Sequence, residues 1–142
     1  MEEASSLVAR LHAGEMRALA RAISIVEDRL PAAREIMRLV TPMAGGAPIL
    51  GVTGPPGAGK STLVDGLTVS YRRKGMKVGI IAVDPSSAFS GGAVLGDRIR
   101  MQRHSSDPGV FIRSMATRGH FGGLASATVD VTDQMAASGC DV

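Results

Sequence analysis

Eight consecutive residues carry a complete phosphate-binding pattern: Gly54, Pro55, Pro56, Gly57, Ala58, Gly59, Lys60 and Ser61. They fit the form G-x-x-x-x-G-K-[ST], whose glycines let backbone N–H groups point at the α- and β-phosphates of a nucleotide. In such a loop the lysine reaches the β- and γ-phosphates, and the serine hydroxyl coordinates Mg²⁺. The spacing therefore predicts a magnesium-dependent site for a nucleoside triphosphate.

A second group of candidate residues lies farther along the chain. Asp84 ends an apolar run, at the place where ligands bind in open α/β sheets, and Asp97 follows 13 positions later. Because Mg²⁺ prefers oxygen ligands and one or two carboxylates, both residues could complete a magnesium site beside Ser61. Arg118 and His120 lie in a glycine-rich polar segment, from which either could approach the γ-phosphate.

The elements on either side of the phosphate pattern would position it. Residues 48–53 form a short apolar run that is typical of a buried strand. After the pattern, apolar residues recur at helical spacing, and three cationic residues followed by Gly75 predict the end of that helix. The helical positions are Leu63, Val64, Leu67 and Tyr71.

The rest of the chain alternates between strand-like and helix-like segments. Strands are predicted at residues 78–84 and 110–113, a short helix at 97–104, and a longer helix at 122–138 that Gly139 ends. Alternating strands and helices predict an α/β fold with a mostly parallel sheet between two helical layers.

The first forty residues are predicted to be helical. Apolar residues recur there at spacings of three and four, and Pro31 either starts a second helix or kinks a long one. They are Leu7, Leu11, Leu19, Ile23, Val26 and Leu30. A segment rich in Pro and Gly follows, so residues 1–44 are predicted to form a helical arm before the nucleotide domain. The arm could bind a partner or simply cap the sheet.

Composition excludes several classes of protein. The 142 residues are 44% hydrophobic and 20% charged, with a net charge of +3, which is typical of a folded globular chain. Aromatic residues make up only 3%, so no platform for stacking nucleic-acid bases is expected. A single Cys excludes an internal disulfide framework. With no secretory signal and no apolar run of about 18 residues, we expect a cytoplasmic protein without a membrane span.

Four segments together resemble one family, the MeaB/ArgK group of P-loop GTPases, which includes the human methylmalonic aciduria type A protein. They are residues 52–63 (VTGPPGAGKSTL), 82–87 (AVDPSS), 91–101 (GGAVLGDRIRM) and 113–123 (RSMATRGHFGG). The similarity covers essentially the whole chain, and the three later segments are more specific than the phosphate pattern alone.

The resemblance implies a P-loop NTPase fold, GTP and GDP as ligands, and Mg²⁺ as cofactor. It implies GTP hydrolysis coupled to protecting and assembling an adenosylcobalamin-dependent methylmalonyl-CoA mutase, and a homodimer in the longer family members. Thr62 would join the phosphate contacts, and Ser61, Asp84 and Asp97 would surround the magnesium ion. Lys60, Asp84 and Arg118 would serve catalysis, and residues 84–105 would form the first switch.

The sequence departs from the family pattern in lacking its second switch, its guanine-reading motif and its C-terminal dimerisation helices. Family members read guanine through an Asn-Lys-x-Asp motif, and this chain contains no Asn. Residues 45–142 are therefore expected to be the N-terminal part of a P-loop GTPase domain, ending before the second switch and the guanine-reading motif. Such a piece would carry an incomplete sheet and would hydrolyse GTP weakly or not at all by itself.

Two other functions use the same phosphate pattern. One is a kinase or ATPase of a transport system, as the name ArgK suggests, which would use ATP. The other is a nucleotide-dependent interaction module with negligible turnover. The choice between guanine and adenine, the oligomeric state and the role of His120 stay open at the level of sequence.

Overall fold

The computed structural model describes residues 3–84, 102–116 and 127–142. Within these ranges the chain divides into two compact units. The first unit is built from residues within Met1–Pro48 and Ser126–Asp141, and the second from residues within Ile49–Ala125 together with Val142. The predicted short helix at 97–104 and the start of the helix at 122–138 lie partly outside the described ranges.

The first unit is a bundle of short helices. Its members are α1 (Ala4–His12), α2 (Met16–Glu27), α3 (Ala33–Val40), a 3-10 turn (Thr41–Met43) and α5 (Thr128–Ala137). Each α-helix buries one apolar stripe, and α5 packs against α1, α2 and α3. The fully buried side chains include Leu11, Leu19, Ile23, Ile36, Val40 and Val131. This apolar core holds the helices together, because helices this short are marginal alone.

The predicted helical arm contains two breaks. After α1 the chain turns at Gly14, which has φ 85°, and after α2 it turns at Arg29, which has φ 51°. Pro31 does not kink a continuous helix, since α3 begins two residues later, at Ala33. The predicted apolar positions are buried except Leu30, which is 45% exposed beside the second break. The sequence therefore predicted the helices correctly and missed the break at Gly14.

The second unit combines one helix with a parallel pair of strands. Helix α4 (Lys60–Arg73) contacts β1 (Val78–Asp84), which pairs in parallel with β2 (Val110–Ala116). The register sets Val78 opposite Val110 and Asp84 opposite Ala116. The core of this unit consists of Val78, Ile80 and Val110, with Val64, Tyr71, Ile112 and Val142 packed against it.

Helix α4 begins and ends close to the predicted positions. Gly75, with φ 76°, follows its last turn, and the N–H of Met76 bonds back to the carbonyl of Tyr71 at 3.1 Å. Of the four apolar residues at helical spacing, Leu63 is 54% exposed, whereas Val64 beside it packs on the strands. A helical apolar pattern fixes the buried face only to within about one residue.

Val142 pairs with β1 at the edge opposite to β2. Its N–H donates to the carbonyl of Lys77 at 3.3 Å, and its carbonyl accepts from the N–H of Gly79 at 2.9 Å. These two bonds are the pattern of a parallel ladder in which Val142 stands opposite Val78. The strand pair and α4 therefore form part of an α/β P-loop fold, as the sequence predicted.

The strand predicted at residues 48–53 is wrong for this structure. This segment is irregular, and Ile49 and Leu50 are 72% and 54% exposed. A strand needs a neighbour for its N–H and C=O groups, and no strand in the described part of the chain pairs with this segment. The apolar composition predicted a buried strand, but this segment has no neighbouring strand in the described part of the chain and is exposed.

None of the helices in the described ranges has the length and apolar character that crossing a membrane requires.

Candidate nucleotide-binding site

The phosphate loop joins α4 directly, with Gly59 as the residue before the first helical turn. Gly57 and Gly59 have φ values of 79° and 94°, a left-handed backbone that residues with a Cβ seldom adopt. The N–H of Leu63 bonds to the carbonyl of Gly59 at 3.0 Å, so the helix starts without an irregular turn. The two glycines therefore let the loop turn straight into a helix N-terminus, where backbone N–H groups bind anions.

Lys60 reaches back across the loop. Its Nζ donates a hydrogen bond to the carbonyl oxygen of Gly54, the first residue of the pattern, at 2.5 Å. The ammonium group thus lies at the loop. It adds positive charge to that of the helix N-terminus, and both favour a bound phosphate.

Ser61 occupies the first turn of α4, next to Lys60, and is half-buried. A hydroxyl there is a hard oxygen donor, which suits Mg²⁺ together with phosphate oxygens and a carboxylate. Asp84 is the last residue of β1, where its backbone stands opposite Ala116 at the end of β2. The two parallel strands end at the same edge, as expected for a ligand-binding edge of an α/β sheet.

Several predicted site residues lie outside the described ranges, namely Asp97, Arg118, His120 and most of the predicted switch 84–105. The side chain of Asp84 is likewise not described. The structure therefore brings together the phosphate-loop residues Gly54 to Thr62 and gives no side-chain placement for the magnesium and catalytic residues beyond them. Their roles stay predictions.

Two polar contacts along α4 were not predicted from the sequence. Asp65 binds the side chains of Arg103 and His104, and Arg72 binds Asp107 through two hydrogen bonds. Partners in these pairs are 35 to 39 residues apart in the chain. The only local signal was a helical spacing of seven residues between Asp65 and Arg72, which places both on one side of α4.

Most of the chain matches one family of known proteins. The family model described as methylmalonyl-CoA mutase-associated GTPase MeaB matches residues 19–142. A Pyrococcus horikoshii protein assigned as a GTPase is 57% identical over 142 residues, covering 100% of this chain and 45% of that protein. The GTPase ArgK of Escherichia coli is 39% identical, covering 95% of this chain and 42% of its own length.

Two further similarities concern architecture. The fused isobutyryl-CoA mutase of Geobacillus kaustophilus is 38% identical over 143 residues, which are 94% of this chain and 13% of that protein. A crystal structure of an LAO/AO transport system kinase superposes with a TM-score of 0.70 at 31% identity, covering 98% of this chain and 41% of that one. The chain spans less than half the length of the ArgK and Pyrococcus relatives. By its sequence match and its fold, the chain belongs to the MeaB family.

Proposed function

We propose that this chain provides the phosphate-binding and magnesium-binding part of a GTP-hydrolysing switch that acts as a chaperone for an adenosylcobalamin-dependent methylmalonyl-CoA mutase. One observation carries the nucleotide part of the proposal. Gly59 leads in a left-handed conformation straight into α4, and Lys60 is folded over the same loop. Membership of the MeaB family supports the choice of GTP and of a mutase partner.

Lys60 would act by exchanging one acceptor for another. Its ammonium group now donates to the Gly54 carbonyl, and a bound nucleotide would offer β- and γ-phosphate oxygens in place of that neutral acceptor. Hydrogen bonds between charged groups are shorter and stronger than those to a carbonyl, so the exchange favours the bound state. The lysine would then neutralise charge that develops on the phosphates during hydrolysis.

Ser61, Asp84 and Asp97 would hold a magnesium ion, which supplies charge neutralisation at the β- and γ-phosphates when bound. The Ser61 hydroxyl would contribute an oxygen from the first turn of α4, and the two carboxylates would bind directly or through water. Arg118 would approach the γ-phosphate and stabilise charge as the terminal phosphoryl group is transferred to water.

The mutase partner is supported by two findings about relatives. The matching family is described as associated with methylmalonyl-CoA mutase, and one relative is a fused isobutyryl-CoA mutase that carries a similar segment. Fusion keeps two partners at a high effective concentration. We propose a homodimer as the working form.

A second candidate function is a kinase or ATPase of a transport system, which the name of the LAO/AO relative favours. Titration calorimetry with MgGTP, MgGDP and MgATP separates the two, using the longest natural polypeptide that carries this sequence. We expect guanine nucleotides to bind at least about tenfold more tightly than ATP, a difference of about 1.4 kcal/mol. A preference for ATP would exclude the GTPase proposal.

Lys60→Ala tests the site itself, with Lys74→Ala as its matched control. Lys74 follows the opposite end of α4 and is exposed, so its loss removes the same charge far along the helix from the loop. We expect Lys60→Ala to abolish hydrolysis and Lys74→Ala to leave it unchanged. Hydrolysis that survives the Lys60 substitution would show that the loop is not the active site.

Pull-down of purified methylmalonyl-CoA mutase, with GTP, with GDP and without nucleotide, tests the chaperone role. We expect association that depends on which nucleotide is present. Association that is absent under all three conditions would contradict the mutase part of the proposal and leave the nucleotide part standing.

A further inference from the structure

A carboxylate in α4 binds two neighbouring side chains of the segment that leads into β2. Oδ1 of Asp65 accepts hydrogen bonds from Nε2 of His104 at 2.6 Å and from Nε of Arg103 at 2.8 Å. Its other oxygen, Oδ2, accepts a second bond from the Arg103 guanidinium. Both carboxylate oxygens are therefore engaged by the same short stretch of chain.

The contact between Asp65 and His104 is shielded from water. The His104 side chain is 8% exposed and that of Asp65 is 20% exposed. The Arg103 side chain, which is 59% exposed, lies on the outer side of this three-residue group, the Asp65 cluster. Burial alone would raise the pKa of Asp65, but the hydrogen bonds from His104 and Arg103 outweigh it and hold that pKa below its usual value. The carboxylate thus stays ionised at neutral pH, and loss of either partner would leave a shielded polar group without its bond.

The position of this cluster along α4 is its most informative property. Asp65 lies one helical turn after Ser61, whereas Arg72 lies two turns farther on, at the end of the helix. Val64 and Tyr71 pack against the strands along the apolar side. Two ion-paired residues thus join α4 to the segment before β2, and of these two Asp65 is the nearer to the phosphate loop.

We propose that Asp65 is a positioning residue for the phosphate site. By binding His104 and Arg103 it fixes the first turns of α4, and with them the placement of Lys60 and Ser61 toward the nucleotide phosphates. A displacement of about 1 Å at such groups can cost about a hundredfold in rate. This inference rests on the nucleotide site proposed above and adds residues to which neither the phosphate pattern nor the magnesium set points.

The test compares MgGDP affinity and MgGTP turnover with thermal stability in variants of the longest natural polypeptide that carries this sequence. Asp65→Asn and His104→Leu should weaken MgGDP binding about tenfold or more. His104→Gln keeps an N–H donor and should restore binding to within about threefold. Arg103→Ala changes an exposed residue, so it should fold even where the other variants do not, and it should weaken binding by a smaller factor.

Arg72→Ala and Asp107→Asn are the matched controls, because they remove an ion pair from the far end of the same helix. Variants of the two clusters are compared at equal loss of melting temperature. Weaker nucleotide binding only in variants of the Asp65 cluster supports the inference. Equal losses of affinity in those variants and in the Arg72 and Asp107 controls overturn it, while leaving the nucleotide site in place. If the unchanged protein binds neither MgGDP nor MgGTP, both the proposed function and this inference are overturned.

Discussion

The guanidinium group of Arg72 lies against the backbone of Gly109 so closely that a Cβ at Gly109 would stand 2.1 Å from Cζ of Arg72. The same guanidinium donates from Nε and Nη2 to Asp107 at 2.9 and 3.0 Å, and from Nη1 to the carbonyl of Met76 at 2.8 Å. The N–H of Gly109 also bonds to Oδ1 of Asp107 at 2.8 Å. The Arg72 guanidinium therefore keeps this position, and its bonds to Asp107 and Met76, only when residue 109 has no side chain.

Gly109→Ala should displace the Arg72 side chain and break its bonds to Asp107 and Met76. The new methyl group meets the flexible end of an arginine rather than backbone, so the protein should fold with a lower melting temperature. A double-mutant cycle checks the cause. In an Arg72→Ala background the obstacle is gone, and Gly109→Ala should then change the free energy of unfolding very little. Equal effects in both backgrounds would show that Gly109 is needed for its backbone conformation instead.

Local patterns predicted the local structure well. The glycine and lysine spacing predicted the phosphate loop, and the apolar periodicities predicted α4 and β1 to within about two residues. Both signals depend on neighbours in the sequence, through backbone conformation and helical or strand period. The phosphate loop and α4 are local in the chain, and β1 has in β2 the neighbouring strand that its apolar pattern presupposes.

Features that depend on distant partners were missed. Ile49 and Leu50 have strand-like composition, but strand formation needs a neighbour, which composition does not supply. Asp65 pairs with His104 and Arg72 pairs with Asp107, and the partners in each pair are more than thirty positions apart. Rules based on local spacing do not find such pairs. The helical arm breaks at Gly14. This break was not predicted, because a single glycine within a helical pattern is usually tolerated.

Gly59→Ala should impair the phosphate loop without a steric clash. No atom lies within 4 Å of where the new Cβ would stand, but the φ of 94° costs an L-residue about 1–2 kcal/mol. The loop should relieve that strain by turning its N–H groups away from the anion, so MgGDP affinity should fall along with stability. Gly51→Ala is the control, since its Cβ also meets nothing within 4 Å and its φ is not in the left-handed range. Equal affinity in the two variants would contradict the assigned loop geometry.

Acid should weaken the second unit through Asp65 and Asp107. Hydrogen bonds from Arg72 and from the Gly109 N–H lower the pKa of Asp107, and those from His104 and Arg103 lower the pKa of Asp65 against the effect of burial. Because both pKa values are lower in the folded than in the unfolded chain, this stability is complete above about pH 4 and is lost as the pH falls through the folded values.

Urea unfolding at a series of pH values from 7 to 3 measures that loss. We expect the free energy of unfolding to fall below about pH 4, and to fall less steeply in Asp107→Asn, which no longer has a carboxyl group to protonate. The Asn variant should be less stable than the unchanged chain at neutral pH and closer to it in acid. Parallel curves for the two proteins would show that Asp107 is not among the groups responsible.

His12 should stabilise the helical unit through one hydrogen bond that joins its first and last helices. Its Nδ1 lies 2.9 Å from the carbonyl oxygen of Ala137, the last residue of α5, so it donates to a carbonyl that has no partner within the helix. His12→Ala should therefore lower the free energy of unfolding by about 1 kcal/mol. His12→Asn places an amide N–H near the position of Nδ1 and should recover part of that loss. Equal stability of the Ala and Asn variants would mean that packing of the ring, rather than this bond, accounts for the contribution of His12.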